Sequence, residues 1–358
     1  MRKTLEGFLP YKVKSEQADV IRLDSNEAFK SLLSYVDFTE LEKTLINRYP
    51  VESTEMLIEA YSKFSGFPVS SILAGNGSDE CISLICQYAL DPDDRVIVLN
   101  PDFSMYEKSA RVMGAEVVTV QLNEDFSLPL DKLTEEIDRH QPKLLFLSNP
   151  NNPTGRLYEN EEIEALIEAM KRAGGLFVLD EAYIDFAGES AFTKKVQDDE
   201  NLIILRTASK ALGMAALRVG FAIANKRLIE GISSVKTPYN VNTVSAQIAT
   251  QLLKKPELLD QFLILQLEQI AELEDIMRDL TEKIPGSVLY PSSANFFLLK
   301  WDRAKELAEY LYKRKIKIRL FNDDSLKAVR VSAGTTDEHK KLQEALSDWS
   351  EQYAAGIQ

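Results

Sequence analysis

Between residues 95 and 206 the chain alternates short apolar runs with amphipathic stretches, and that alternation leaves few folds open. Residues 95–99 (RVIVL), 143–148 (KLLFLS), 176–180 (LFVLD) and 201–206 (NLIILR) are short, bounded and rich in β-formers, so they read as buried strands. Residues 161–172 carry a helical pattern. Asn160 is the expected N-cap, acidic residues fill the first turn, and Gly174–Gly175 ends the helix. Strands alternating with helices predict an α/β fold built on a large, mostly parallel sheet. Ligands collect at the C-terminal ends of the strands in such sheets. The polar clusters at 148–155, 180–183 and 207–213 each follow one of these runs.

The remainder predicts a second, smaller unit. Residues 255–283 form one long helical pattern that stops before Pro285. A strand (295–299), a helix (304–314) and strands near 316–320 and 328–331 follow. The expected division is a large α/β/α domain over 46–254 and a smaller α+β domain from 1–45 plus 255–358. A chain of 358 residues accommodates both.

Composition narrows the function classes. With 42 Lys+Arg against 56 Asp+Glu the net charge is −14, which disfavours nonspecific binding to nucleic acid or anionic membranes. No apolar run is long enough to span a bilayer, and the N-terminus lacks a signal-peptide pattern, so a cytoplasmic location is expected. Cys81 and Cys86 lie in one apolar stretch and read as buried thiols; two soft ligands alone make no zinc site. His140 and His339 lie in polar, helix-like surroundings and are expected at the surface. With histidine set aside, lysine is the candidate for proton chemistry.

Four clusters carry candidate chemistry. Gly75-Asn76-Gly77-Ser78-Asp79-Glu80 precedes a helical pattern, and it reads either as a phosphate cradle or as an ordinary glycine turn. Ser148-Asn149-Pro150-Asn151-Asn152-Pro153-Thr154-Gly155 makes a rigid turn that can present an amide at the sheet edge. Asp180-Glu181-Ala182-Tyr183 ends a buried strand. A carboxylate there needs a cationic partner, or else caps a following helix. Thr207-Ala208-Ser209-Lys210-Ala211-Leu212-Gly213, with Arg218 beyond it, offers a lysine in a small-residue loop beside phosphate-binding side chains; a solvated lysine is the plain alternative.

In order and in company, these segments resemble fold-type-I pyridoxal-phosphate aminotransferases, and specifically the histidinol-phosphate branch. The likeness runs through LDSNE (23–27), NRYP (47–50), GNGSDE, PDFSMY (101–106), SNPNNPTG, DEAY, RTASKALGMAALRVGF and RVSAGT (330–335), nearly the whole chain. The resemblance implies that Lys210 holds pyridoxal 5'-phosphate as a Schiff base and shuttles the substrate proton. Asp180 pairs with the ring nitrogen, Asn152 and Tyr183 bond the phenolic oxygen, and Phe103 stacks on the ring. Ser78, Asp79, Thr207, Ser209 and Arg218 hold the phosphate, with Tyr49 reaching it from a second subunit of a homodimer. On the substrate side it implies Arg330 for a carboxylate, Arg319 and Tyr11 for a substrate phosphate, and Asn26. The sequence departs from the family pattern at Ala28-Phe29, Val51 and Tyr11–Lys14, all on the substrate side. Aromatic amino-acid aminotransferases and phosphothreonine decarboxylases carry similar sites.

Overall fold

The computed structural model describes residues 19–323, 326–354 and 356. Its twelve strands are β1 (Ile21–Leu23), β2 (Ile72–Gly75), β3 (Arg95–Asn100), β4 (Glu116–Gln121), β5 (Leu144–Ser148), β6 (Leu176–Asp180), β7 (Leu202–Thr207), β8 (Gly220–Ile223), β9 (Val288–Leu289), β10 (Phe296–Lys300), β11 (Ile316–Asn322) and β12 (Lys327–Ser332). Seven of them form one sheet in the order β2-β8-β7-β6-β5-β3-β4. From β7 to β4 the pairs are parallel, while β8 runs antiparallel to both its neighbours. The four strands expected from the apolar runs form the centre of this sheet.

Those runs lack a polar face because both faces are covered. Along β5, Leu145 and Leu147 enter one core, with Phe177, Leu179 and Ile204. Leu144 and Phe146 enter the other, with Val178, Ile203 and Leu205. The helix after β5 spans Asn160–Arg172, one residue earlier than expected. Its N-cap is Glu159, which forms a capping box with Glu162, rather than Asn160. The carboxylate pair satisfies two amides at once, and a lone asparagine amide would satisfy one.

The second sheet has the order β1-β11-β12-β10-β9. β1 pairs parallel to β11 through Ile21↔Ile316, so an N-terminal segment does complete the sheet built from the last part of the chain. The helix Pro256–Lys283 starts with proline at its first turn, where the missing amide proton costs nothing. Its Leu273, Ile276, Met277 and Leu280 pack with Phe297, Val329, Val331 and Leu342.

One histidine departs from expectation. His339 is fully buried. Its Nε2 accepts the Gly334 amide at 2.8 Å and its Nδ1 lies 3.1 Å from Glu272 Oε2, which places the proton on Nδ1. It ties the turn after β12 to the long helix. His140 is half-buried beside Glu136, 3.0 Å away. Cys81 and Cys86 are buried, free thiols as expected, and burial pushes both upward in pKa.

Behind the strand ends lies a buried ion cluster. Arg206 reaches Glu181 Oε2 at 2.8 Å and Asp185 Oδ1 at 3.2 Å, and Ser190 also donates to Glu181. Removing one partner leaves an uncompensated buried charge, which costs far more than the pair contributes. Arg206→Met should therefore lower unfolding free energy by about 3–5 kcal/mol in urea titration. A loss below about 1 kcal/mol would mean that the cluster is solvated in solution.

Candidate active site

The strand ends build the site. β2 ends at Gly75 and feeds the helix Ser78–Ala89, whose N-cap is Gly77 and whose first amides receive no side-chain cap. Gly77 has φ +86, and a Cβ on it would stand 2.6 Å from Arg218 Nη2. A Cβ on Gly220 would stand 2.2 Å from the Ser78 amide nitrogen. Gly220 is required by that close approach to backbone, and Gly77 by its positive φ. Arg218 lies across the helix start, 3.2 Å from Asp79 Oδ2 and 3.5 Å from Ser209 Oγ, and Thr207 Oγ1 accepts the Ser209 amide at 3.1 Å. Free amides, a helix N-terminus, a guanidinium and two hydroxyls together suit a phosphate dianion. The structure thus brings Ser78, Asp79, Thr207, Ser209 and Arg218 into one cradle.

Asp180, at the end of β6, is 5% exposed. Tyr106 donates to its Oδ2 at 2.8 Å and the Ala182 amide to its Oδ1 at 3.1 Å. Burial pushes its carboxyl up to about 6, against the pull of those hydrogen bonds. Tyr106 stacks on Phe146 (4.8 Å between centroids) and meets Phe103 edge-on at 5.5 Å. A protonated ring nitrogen is the cation such a carboxylate favours, with Phe103 nearby as an aromatic wall.

Two residues of this neighbourhood were not singled out from sequence. Tyr106 is one. The other is Asp102, raised by burial to about 7, with nearby Asp180 adding to the shift. Asp102 accepts the Phe103 amide at 2.7 Å and the Ser148 hydroxyl, and Ser148 Oγ in turn accepts the Asn152 amide at 3.1 Å. One carboxyl group thereby joins the loop of Phe103 to the loop of Asn152. An acidic residue after a proline carries no periodic signal, so only the PDFSMY segment as a whole pointed here.

Lys210 follows β7. Its Nζ donates to the carbonyls of Ser25 (3.0 Å) and Asn26 (3.1 Å) and lies 5.7 Å from the centroid of the Tyr183 ring. The Tyr183 hydroxyl accepts from Asn26 Nδ2 at 2.9 Å. The second sheet closes the site. Arg330 on β12 is 7% exposed and donates to Asn152 Oδ1 and, at 2.8 Å, to the Asp24 carbonyl. Arg319 on β11 is its direct register partner, so both side chains leave the same face of the sheet. Their guanidinium groups lie 5.8 and 5.9 Å from the Phe321 ring centroid. Tyr49 stands 77% exposed and stacks on Tyr239 at 4.8 Å. Tyr11 lies outside the described residues.

Both raised carboxyls retain protons in the folded state that the unfolded chain releases near 3.8. Their contribution to stability is full below that pH and is lost as pH rises through about 6 and 7. The cofactor-free protein should therefore lose urea resistance between pH 4 and pH 7, and Asp180→Asn should flatten that slope. An unchanged slope would show that neither carboxyl is desolvated in solution.

Known proteins resemble this chain in sequence and in fold. The family model for aminotransferase class I and II matches residues 13–346. A histidinol-phosphate aminotransferase from Clostridium novyi is 38% identical over 343 residues, covering 94% of each chain. Among solved structures, a histidinol-phosphate aminotransferase from Sinorhizobium meliloti in complex with pyridoxal-5'-phosphate superposes with a TM-score of 0.86. It is 20% identical, with 99% of this chain and 98% of that one covered. An L-threonine-O-3-phosphate decarboxylase from Porphyromonas gingivalis gives a TM-score of 0.78 at 25% identity, covering 93% of this chain and all of the other. The expected fold-type-I architecture is the fold of this protein. With the matched model spanning nearly the whole chain, this protein belongs to the aminotransferase class I and II family.

Proposed function

We propose that this chain is a pyridoxal 5'-phosphate-dependent aminotransferase of histidine biosynthesis, moving the amino group of histidinol phosphate to 2-oxoglutarate to give imidazole-acetol phosphate and glutamate. The observation that carries the choice of substrate is the register pair Arg319–Arg330. Two guanidinium groups opposite each other on one sheet face favour a ligand that brings an anionic group to them. A donor with a phosphate and an acceptor with carboxylates both meet that requirement, in turn, at one site. The helix start at Ser78 already provides for a separate phosphate, so the site accommodates two anionic groups.

When bound, the cofactor supplies a conjugated ring that takes up the electron pair released as the substrate Cα–H bond breaks. Lys210 would hold it covalently in the resting enzyme and, once free, would carry the proton taken from the substrate Cα. Asp180 keeps the ring nitrogen protonated, in a pocket where burial makes a cationic N–H partner favourable. Asn152 and Tyr183 would hydrogen-bond the phenolic oxygen, Phe103 would cover the ring, and Ser78, Asp79, Thr207, Ser209 and Arg218 would hold the phosphate. Because one site serves both half-reactions, turnover is ping-pong.

In this reading residues 46–254 carry the cofactor, residues 1–45 with 255–358 present the substrate arginines, and the protein works in the cytoplasm. No helix among the described residues is long and apolar enough to cross a membrane. It also works as a homodimer. Leu45, Ile46, Tyr49, Met56, Tyr239 and Val244 are all exposed, Ile46 by 86%. A second copy would cover them and bring its Tyr49 to the phosphate.

The test is a half-reaction screen on purified enzyme loaded with cofactor. Histidinol phosphate and glutamate should each discharge the lysine-bound absorbance rapidly, with phenylalanine and tyrosine far slower. Faster conversion by the aromatic amino acids would make this an aromatic aminotransferase, and release of CO₂ from phosphothreonine would make it a lyase. Lys210→Ala should abolish both the lysine-dependent absorbance and transamination. Arg319→Ala should weaken kcat/KM for histidinol phosphate by on the order of 10-fold to 100-fold, the worth of a charged hydrogen bond, with glutamate affected less.

A further inference from the structure

Asn26 follows β1 in the left-handed conformation (φ 54) and is 1% exposed. Its amide nitrogen donates to Ser332 Oγ at 2.9 Å, and the Ser332 hydroxyl donates back to Asn26 Oδ1 at 2.9 Å. Its carbonyl accepts from Asn295 Nδ2 (3.2 Å) and from Lys210 Nζ (3.1 Å). Its remaining polar atom, Nδ2, donates to the Tyr183 hydroxyl at 2.9 Å. One buried residue therefore touches both side chains nearest the proposed chemistry, and it does so from the turn that follows a strand of the other sheet.

The direction of each bond matters. Ser332 Oγ already accepts the Asn26 amide, so its own buried proton needs an acceptor, and Asn26 Oδ1 is the one in reach. That pairing fixes which way the amide faces and turns Nδ2 toward Tyr183. A tyrosine oxygen that accepts there keeps its own proton for a partner other than Asn26. Such a tyrosine is a committed donor. A free tyrosine hydroxyl would divide its time between donating and accepting.

Resting on the reading of the preceding subsection, we propose that Asn26 is a positioning residue that holds Tyr183 as a hydrogen-bond donor to the cofactor's phenolic oxygen. Asn26 thus acts through Tyr183 and has no need to touch the substrate. The same turn gives the Lys210 amine a docking point on the carbonyls of Ser25 and Asn26 when it is not bonded to the cofactor. A donor at the phenolic oxygen stabilises negative charge there, and that charge is greatest when the lysine linkage is unprotonated. Losing the donor should raise the pH at which the linkage titrates.

The experiment is a pH titration of visible absorbance in the cofactor-loaded enzyme without substrate. Asn26→Gly keeps the left-handed backbone, which glycine adopts freely, and keeps both carbonyls; it removes only the amide. Its midpoint should rise by roughly half a unit to one unit, the shift that one neutral hydrogen bond gives. Tyr183→Phe should move the midpoint in the same direction, and the double variant should go no further than Tyr183→Phe alone. If Asn26→Gly loses its cofactor, Ser332→Ala releases the amide instead and should move the midpoint upward, again only while Tyr183 is present. An unchanged midpoint in the variant that retains cofactor, or shifts that simply add in the double variant, would overturn the proposal. A wild-type enzyme with no Lys210-dependent band would sink the functional reading and this inference with it. A normal wild-type band whose titration midpoint Asn26→Gly leaves unchanged sinks the inference alone.

Discussion

A carboxylate at the end of a strand buried on both faces is expensive, and much of this site is arranged around that cost at Asp180. Its two oxygens are met by the Tyr106 hydroxyl and the Ala182 amide, yet burial still lifts the carboxyl to about 6. Neutral donors compensate only part of the desolvation of an anion. A cation held in front of the carboxylate supplies the rest, and it is itself held protonated in return. The requirement propagates outward. Tyr106 is fixed between Phe146 and Phe103, and Phe103 is fixed by Asp102, whose own carboxyl is raised to about 7.

Directly behind Asp180 the same problem is solved differently. Glu181, one residue on, is buried more deeply still, but Arg206 from the neighbouring strand pairs with it and with Asp185. Adjacent carboxylates thus receive opposite treatment. One is given a permanent guanidinium and becomes structural. The other is given only neutral donors and remains available for a ligand's charge. That difference separates the framework of the site from its chemistry.

The two sheets contribute opposite kinds of group. The parallel sheet brings helix-start amides, hydroxyls, Asp180 and Lys210 to one edge, whereas the smaller sheet brings Arg319 and Arg330 on one face. Polar contacts bridge them directly: Arg330 to Asn152, Asn26 to Tyr183, and Lys210 to the carbonyls of Ser25 and Asn26. Any movement of the small sheet must therefore change hydrogen bonds at Asn152, Tyr183 and Lys210 themselves.

The sequence by itself determined the central strands, the long helix Pro256–Lys283 and the clusters around Lys210, Asp180 and Ser78, because apolar periodicity and strand-end placement are local properties. It located four of the seven strands of the large sheet. The edge strand β4 buries only Val120, and β2 and β8 have only four residues each, too short for a periodic signal. Partnership was not legible. His339 looks like a surface residue until the Gly334 amide and Glu272 are brought to its two nitrogens. Nothing near Asn26 in sequence announces Tyr183, 157 residues away, or Ser332, 306 residues away. Only the tertiary structure decided these, since a hydrogen bond in a buried site depends on direction and on distances of a few ångströms that chain folding alone sets.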